Sequence, residues 1–406
     1  MRHHVLIHIG GCGLGLGLRL WKEVFAEHGV GADGQLRAGA LSDEGAFLKR
    51  VASSRVAPRA VVVDGDPSSI DLFKDDPVSG LFRADNFVFG GGACGNNWAM
   101  GYNDRVAMRD AAVARVTSEI NPAGGSHNFI ITHALGGGTG GGLGAAIVEK
   151  LRLVYPSSTI VCFSVLSSPS QDDVVVRPYN EVLALAKLIE NANAVVLLDN
   201  ESLGLAARAR FGENAVHHAR LNELAAQALA LLTSPLRLPE TRAVELRELT
   251  RTLTPFRGLA LVSLAIESWT DTVGGDLVDA LRSRVNRVSG HGADTSALLS
   301  AAFIAPRGRP ISPTSLRADA RLGFRGWFPD PLVLRTRSRA RAIAMASSES
   351  GVVGPLSALC SRFDSMLKRK AFLHWYHGHG LTTSQMQQAR KAVGELIAAY
   401  QTAANS

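Results

Sequence analysis

Ala134-Leu135-Gly136-Gly137-Gly138-Thr139-Gly140-Gly141-Gly142-Leu143-Gly144 is the stretch on which the fold turns: seven of the nine residues from 136 to 144 are glycine. Before it, Phe129-Ile130-Ile131-Thr132-His133 reads as a short buried strand, and after it residues 143–151 read as a helix. A strand feeding a glycine loop that opens a helix aims bare backbone N–H groups and the positive end of a helix dipole at one point, an arrangement suited to an anion. Glycine serves because side chains would hold a phosphate away and forbid some of the backbone angles. Thr139 is the one hydroxyl in the run and can donate to a phosphate oxygen. No Gly-Lys-Ser/Thr follows, so this is not a P-loop. Taken alone, it also reads as an ordinary tight connection.

Outward from this loop, the first half of the chain alternates strands and helices. Residues 5–9, 60–63, 86–89, 129–133, 159–165 and 194–198 are short apolar or β-branched runs, and a helix is predicted through 18–25 after a first glycine loop. Such alternation predicts a Rossmann-like α/β fold: a mainly parallel sheet covered by helices, with ligands at the carboxyl ends of the strands. Glycine-rich or polar segments fall at that rim each time, at 10–17, 64–67, 90–97, 136–144, 167–173 and 199–201. Together they argue for a nucleotide site where one loop would not. A long helix is predicted over 217–232, punctuated by Pro235 and Pro239. A mixed α+β segment follows to about 350. The end is helical, over 356–373 and 382–400. There Thr382 and Gln385 form a capping-box pair, and Met386, Ala389, Val393, Leu396, Ile397 and Tyr400 make one apolar stripe.

Composition narrows the classes. The 406 residues are 46% hydrophobic and 19% charged, which excludes a disordered chain. No run approaches about 18 apolar residues, so neither a spanning helix nor a membrane partner is predicted. The apolar core of residues 1–9 is too short for a signal peptide. Cys12, Cys94, Cys162 and Cys360 form no CxxC, which favours a reducing cytosol. The net charge of +7 is spread without a dense Lys/Arg run, so nucleic acid is not a predicted partner. Arg335, Arg337, Arg339 and Arg341 alternate, the spacing of a charge-blunted edge strand. His374, His377 and His379 lack a neighbouring Cys or carboxylate and are not read as a metal site.

In this setting the glycine run is similar to the tubulin signature Gly-Gly-Gly-Thr-Gly-Ser-Gly, with Gly141 in place of serine. The stretch from His8-Ile9 through Gly10-Gly11-Cys12-Gly13 to Trp21 resembles the same family. So do Pro58-Arg59-Ala60 to Asp64-Gly65-Asp66-Pro67, Cys94-Gly95-Asn96-Asn97-Trp98-Ala99, Arg177-Pro178-Tyr179-Asn180, Leu198-Asp199-Asn200-Glu201 and Lys370-Ala371-Phe372-Leu373-His374-Trp375-Tyr376. The similarity runs nearly end to end and in order, and the last segment sets the chain apart from the more distant bacterial division GTPase.

The resemblance implies a GTPase that polymerises head to tail, with GTP or GDP and Mg²⁺ held at the face between subunits. It implies a GTP-binding domain over 1–216, a connecting core helix over 217–238, an α+β intermediate domain over 239–350 and a C-terminal helical hairpin within 351–406. Gly11 and Cys12 fall in the first phosphate loop. Asp64 and Asp66 match the acidic pair near Mg²⁺, a cation that takes hard oxygen ligands, often through water. Asn96 matches a contact on the γ-phosphate side, and Gly137, Gly138, Thr139, Gly140 and Gly141 the central cradle. Asp173 falls at the ribose, Asn200 and Asn222 at the guanine edge, and His218 where a ring stacks on the base. Glu248 matches a catalytic glutamate delivered by the neighbouring subunit, with Glu245 three residues before it on the same helical face. The implied partners are other tubulin-like subunits, the same or a second type, in a cytoplasmic cytoskeleton.

Each assignment has a plainer competitor. Asp64 and Asp66 also read as helix caps, Asn200 and Asn222 as turn and surface amides, and Glu248 as an ion-pair partner of Arg251. The chain also departs from the family pattern. The first loop is shorter, with Leu14 and Gly15 in place of polar residues. Arg177 replaces an acidic residue beside the ribose, and Glu240 and Ala243 replace the glycine and asparagine near Glu245. The lateral-contact segment within 265–275 is shortened, and residues 401–406 are not acidic. Two readings follow: a GTP-binding cytoskeletal subunit, or a non-polymerising relative that caps or regulates other tubulins. A dehydrogenase would need its fingerprint at the first strand and an acidic residue after the second.

Overall fold

In the computed structural model, residues 3–37, 46–52, 54–120, 127–167, 174–212, 217–238, 244–256, 258–268, 281, 297–306, 313–319, 322, 324, 331–338 and 342–406 are described. The apolar runs become strands because both of their faces are covered: Val61, Val62 and Val63 are each fully buried. In chain order the strands are β1 (His3–Ile9), β2 (Leu48–Arg50), β3 (Val56–Pro58), β4 (Ala60–Asp64), β5 (Phe87–Phe89) and β6 (His127–Ala134). Then come β7 (Thr159–Leu166), β8 (Ala194–Asp199), β9 (Leu261–Ser268), β10 (Leu298–Pro306), β11 (Leu332–Thr336) and β12 (Ala342–Glu349). β2 and β3 form a small antiparallel pair. The other ten make one sheet in the order β11-β10-β12-β9-β8-β7-β6-β1-β4-β5. It is parallel from β5 across to β9; β12 then lies antiparallel between β9 and β10, and β11 runs parallel to β10 at the edge.

This order places the site. From β1 the chain moves outward one way to β4 and β5, and from β6 the other way to β7 and β8. The two directions part between β1 and β6, where His8 pairs with Thr132. A crevice opens at the carboxyl ends of strands at such a switch point.

The helices are α1 (Gly10–His28), α2 (Pro67–Lys74), α3 (Trp98–Asn103), α4 (Val106–Glu119), α5 (Gly144–Val154), α6 (Arg177–Asn191), α7 (Asn200–Phe211), α8 (His218–Arg237) and α9 (Leu246–Leu253). Strand alternation divides the core. Leu6, Val62 and Ile130 pack with α1 and α8, whereas Val5, Ile7, Val61, Phe129 and Ile131 pack with α4, α5, α6 and the C-terminal helices.

Three expectations need correction. First, no glycine loop separates β1 from its helix: α1 starts at Gly10, in the left-handed region at φ 74°. A Cβ on Gly13 would collide with the Thr132 carbonyl, and one on Gly17 with the His8 ring. These glycines bring the helix onto the sheet. Second, α8 runs through Pro235 to Arg237. Proline has no N–H for the Leu231 carbonyl, and the Ser234 hydroxyl donates to that oxygen instead at 2.7 Å. Third, the helix predicted over 356–373 is Val353–Lys368 followed by a short helix, Leu373–His377. Between them Lys370 and Phe372 both have positive φ, and the Ala371 N–H closes on Met366 O at 3.0 Å. The last helix, Thr383–Asn405, starts with the expected capping box at Thr382 and Gln385. Arg335 lies on the edge strand as expected, while Arg339 and Arg341 lie outside the described residues.

Candidate nucleotide site

At the switch point a cleft of about 590 Å³ opens, a size suited to a nucleotide. Its floor is the start of α1 with Gly11 and Cys12, and the cradle after β6 with Gly137, Gly138, Thr139 and Gly140. Asp64 and Asp66 come from the end of β4, and Asn96 from the loop before α3. Asn200, His218 and Asn222 come from the starts of α7 and α8. The chain therefore brings twelve of the residues singled out from the sequence to one cavity. Gly141 sits behind the cradle, where a Cβ would collide with the Leu135 carbonyl. Asp173 lies outside the described residues.

The cradle itself is one π-helical turn, Gly138–Leu143, leading directly into α5. Such turns are rare and concentrate at functional sites. It is clamped on both sides by backbone. A Cβ on Gly138 would stand 2.6 Å from the Cys94 carbonyl oxygen, and one on Gly142 would collide with Trp98 O, whereas nothing lies within 4 Å of a Cβ at Gly137. So the run is glycine largely because β6 and α3 press on it, and Gly137 is the member with open space.

Two neutral histidines support the floor from below. Trp21 Nε1–H donates to His8 Nε2 at 2.9 Å, so His8 Nδ1 carries the proton and donates to Thr132 Oγ1 at 2.7 Å. Thr132 in turn donates to Gly13 O at 3.0 Å, tying α1 to β6. His133 Nδ1 lies 2.8 Å from Gly140 O, with Ser164 Oγ 2.8 Å from its Nε2. Burial pushes His8 down to about 3 and His133 down to about 4. Below the ordinary value of 6.5 the unfolded chain binds these protons first, so stability is full above that pH and falls as pH drops toward the folded values. His8 alone is expected to remove about 2 kcal/mol between pH 6.5 and pH 5. Denaturant titrations of the parent and a His8→Gln variant should differ in slope with pH by that amount; parallel pH profiles would exclude it.

On the acidic wall, Asp66 caps α2 by accepting from Ser68 N at 3.0 Å, and Asp64 accepts from Asp66 N at 3.1 Å. The capping reading is therefore correct for Asp66, and it leaves both carboxylates on the cleft wall. Burial raises the Asp64 carboxyl above its usual range, with Asp66 adding repulsion. On the floor, loss of hydration pushes the Cys12 thiol up to about 11, which keeps it neutral.

Among the residues that line or support the cleft without having been picked out from the sequence as site residues, three polar ones stand out. Asn180, fully buried on α6, donates from Nδ2 to Asn96 O at 2.7 Å and Gly136 O at 2.8 Å. Its Oδ1 accepts from Trp98 N at 3.1 Å and Tyr376 Oη at 2.7 Å. Ser167 and Arg177 line the cleft, and Ser167 donates to the buried Glu181. A sharper signal was available in Arg177-Pro178-Tyr179-Asn180-Glu181, where polar residues interrupt a helix buried on its inner face.

Glu245 and Glu248 stand elsewhere. They flank the first turn of α9 and border a surface depression of about 280 Å³ with Arg247, Arg251 and Thr252. Neither lines the cleft. His379 Nδ1 meets Asp104 Oδ2 at 2.6 Å and His377 meets Thr383, and no group of three or more His, Cys, Asp or Glu placed to hold a metal occurs among the described residues. Among them too, no helix is long and apolar enough to cross a membrane.

Comparison with known proteins agrees with this geometry. The GTPase domain of the Tubulin/FtsZ family matches residues 4–206, half of the chain and the parallel strands from β1 to β8. The chain belongs to the tubulin/FtsZ family. It is 29% identical over 423 residues to the tubulin beta chain of Schizophyllum commune, covering 99% of this chain and 95% of that protein. The beta-1 chain of Suillus bovinus is 29% identical over 425 residues, with 99% and 95% covered. The beta chain of Aspergillus fumigatus is 29% identical over 423 residues, with 99% and 94% covered. This divergent tubulin is a GTP-binding cytoskeletal protein whose cofactors are GTP or GDP and Mg²⁺. The site fits both groups. The cradle exposes bare backbone at Gly137, and the buried Asp64 has hard oxygens whose charge a divalent cation would offset.

Proposed function

We propose that this tubulin assembles head to tail, and that GTP bound in the cleft of one subunit is hydrolysed by acidic groups from the next. The observation that carries this reading is the placement of α9. It contributes no wall to the cleft, yet presents Glu245 and Glu248 together at a separate surface. A carboxylate there meets a nucleotide only when another chain supplies one.

In this reading the backbone N–H groups of residues 137–140, the Thr139 hydroxyl, and Gly11 with Cys12 hold the phosphates. Asn96 stands at the terminal phosphate. Asp64 and Asp66 hold Mg²⁺, directly or through water. Asn200 and Asn222 read the guanine edge, since an amide offers donor and acceptor together. His218 stacks on the base, and Asp173 reaches the ribose. Bound Mg²⁺ spreads the negative charge that builds up during phosphoryl transfer. Glu248 orients the attacking water and accepts its proton, with Glu245 beside it. The domain limits at 216, 238 and 350 and a cytoplasmic, cytoskeletal location belong to the same proposal.

Sedimentation with GTP and with GDP tests it. Nucleotide-dependent filaments are expected. A guanine-nucleotide-bound monomer at every concentration would overturn assembly, and would favour a relative that caps or regulates other tubulins.

A further inference from the structure

Among the described residues lining the cleft, Arg177 carries the fixed positive charge. It opens α6 and lies across the first glycine of the cradle, its Cδ 3.1 Å from where a Cβ on Gly136 would stand. Its charge is also felt by the Cys12 thiol at the start of α1, opposing the larger effect of burial there. Arg177 therefore lines the cleft against Gly136, close enough for its charge to reach the start of α1.

Behind it, one helical turn along α6, lies Glu181, 1% exposed. Its Oε1 accepts Ser167 N–H at 3.1 Å and the Ser167 hydroxyl, and lies 3.3 Å from the Cβ position of Gly136. The charged groups facing it are Arg362 on the helix Val353–Lys368 and, with a smaller effect, Arg177 on its own helix. The carboxylate therefore lies directly behind the corner of the cleft where Arg177 meets Gly136.

We propose that Arg177 is a phosphate-binding residue whose guanidinium is shared between Glu181 and the nucleotide, so that nucleotide binding is coupled to proton uptake by Glu181. The proposal rests on the cleft being the guanine nucleotide site. A di- or triphosphate beside Arg177 draws the cation from Glu181 and adds negative charge next to it, and both effects favour the protonated carboxyl. Burial already holds Glu181 at about 7, against the pull of Ser167 and both arginines. Any further rise on binding falls in the physiological range. By linkage, the bound state then holds more protons than the free state around and above pH 7, so affinity falls as pH rises.

Fluorescent N-methylanthraniloyl-GDP, titrated at constant Mg²⁺ between pH 6 and pH 8.5, reads this out. The parent is expected to bind on the order of fivefold more weakly at pH 8.5 than at pH 6. Glu181→Gln still accepts from Ser167 but cannot ionise. It should bind at both pH values about as tightly as the parent does at pH 6. Arg177→Ala should bind at least about tenfold more weakly at pH 6 and lose most of the pH dependence. A Glu181→Gln protein that keeps the parental pH slope, or an Arg177→Ala protein that binds like the parent, overturns the proposal. A parent that binds no guanine nucleotide at any pH overturns the nucleotide reading of the cleft itself, a different result from either.

Discussion

Replacing Asn180 by alanine is expected to destabilise the protein by about 5 kcal/mol and to weaken guanine nucleotide binding by at least about tenfold. The amide is fully buried and makes four hydrogen bonds that reach three separate segments of the chain. Its two donations hold the carbonyls of Asn96 and Gly136, which fixes the loop before α3 against the first glycine of the cradle. Its oxygen holds the first N–H of α3 and the Tyr376 hydroxyl, which docks the short helix Leu373–His377. Removing the amide unpairs the buried Trp98 N–H and Gly136 carbonyl, each costing roughly 1–3 kcal/mol if nothing replaces the bond, and it also takes one partner from the Asn96 carbonyl and leaves the Tyr376 hydroxyl only its longer contact to Val176 O. The two carbonyls then repel each other across the gap, and the cradle loses its fixed distance from Asn96. Thermal melts with and without GDP would show both effects. A variant within about 1 kcal/mol of the parent, with parental affinity, would show that these segments hold their places without the amide.

The elements that could be read directly were those where a short-range pattern coincided with burial. Val61, Val62 and Val63 could only be a strand buried on both faces, and Thr382 with Gln385 announced the start of the last helix. The failures share one feature: residue types that punctuate a chain locally were overruled by helix–sheet packing in one case and by a neighbouring hydroxyl in the other. Gly10 to Gly17 read as a loop, but two of those glycines are sites where helix and sheet touch, at Thr132 and His8. Pro235 read as a stop, but the Ser234 hydroxyl satisfies the carbonyl that proline cannot. The sheet's continuation past β8 into β9 was equally invisible, because pairing of Val195 with Leu261 spans a connection of more than sixty residues.

The site was more legible than the fold around it. Residues that face a phosphate chain are confined to a few types, and glycine, Asp and Asn at the ends of strands stood out by position alone. What escaped was the layer behind them. Asn180 and His8 fall in stretches that resemble the family, yet neither these two nor His133 and Glu181 announce a role by residue type, since each acts through partners such as Tyr376 for Asn180 and Thr132 for His8. The glycine run itself now has two reasons to exist. Gly137 is open toward the cleft, while Gly138, Gly141 and Gly142 are glycine because backbone presses on them.

Glu248→Ala is expected to slow GTP hydrolysis on the order of 10²- to 10⁴-fold, while leaving nucleotide binding and stability nearly parental. Little stability is at stake, because Glu248 is half-buried in the first turn of α9 and an i,i+3 pairing with Arg251 contributes only about 0.3–0.5 kcal/mol. Nor does the residue line the cleft, so the affinity of its own subunit for GTP should not change. The decisive experiment mixes two defective chains. Glu248→Ala keeps an intact cleft but offers its neighbour no carboxylate; Asp64→Ala offers Glu248 but has lost the buried acidic wall of its own cleft. Neither should turn over GTP alone. In a mixture, every junction that sets a Glu248 surface from one chain on an intact cleft of the other is complete, and turnover should return to a sizeable fraction of the parent's. Restoration that follows the proportion of mixed junctions supports hydrolysis in trans. If the mixture stays as slow as its parts while filaments form, α9 does not supply the group. If Glu248→Ala alone hydrolyses at the parental rate, neither this residue nor its face of α9 takes part in the chemistry.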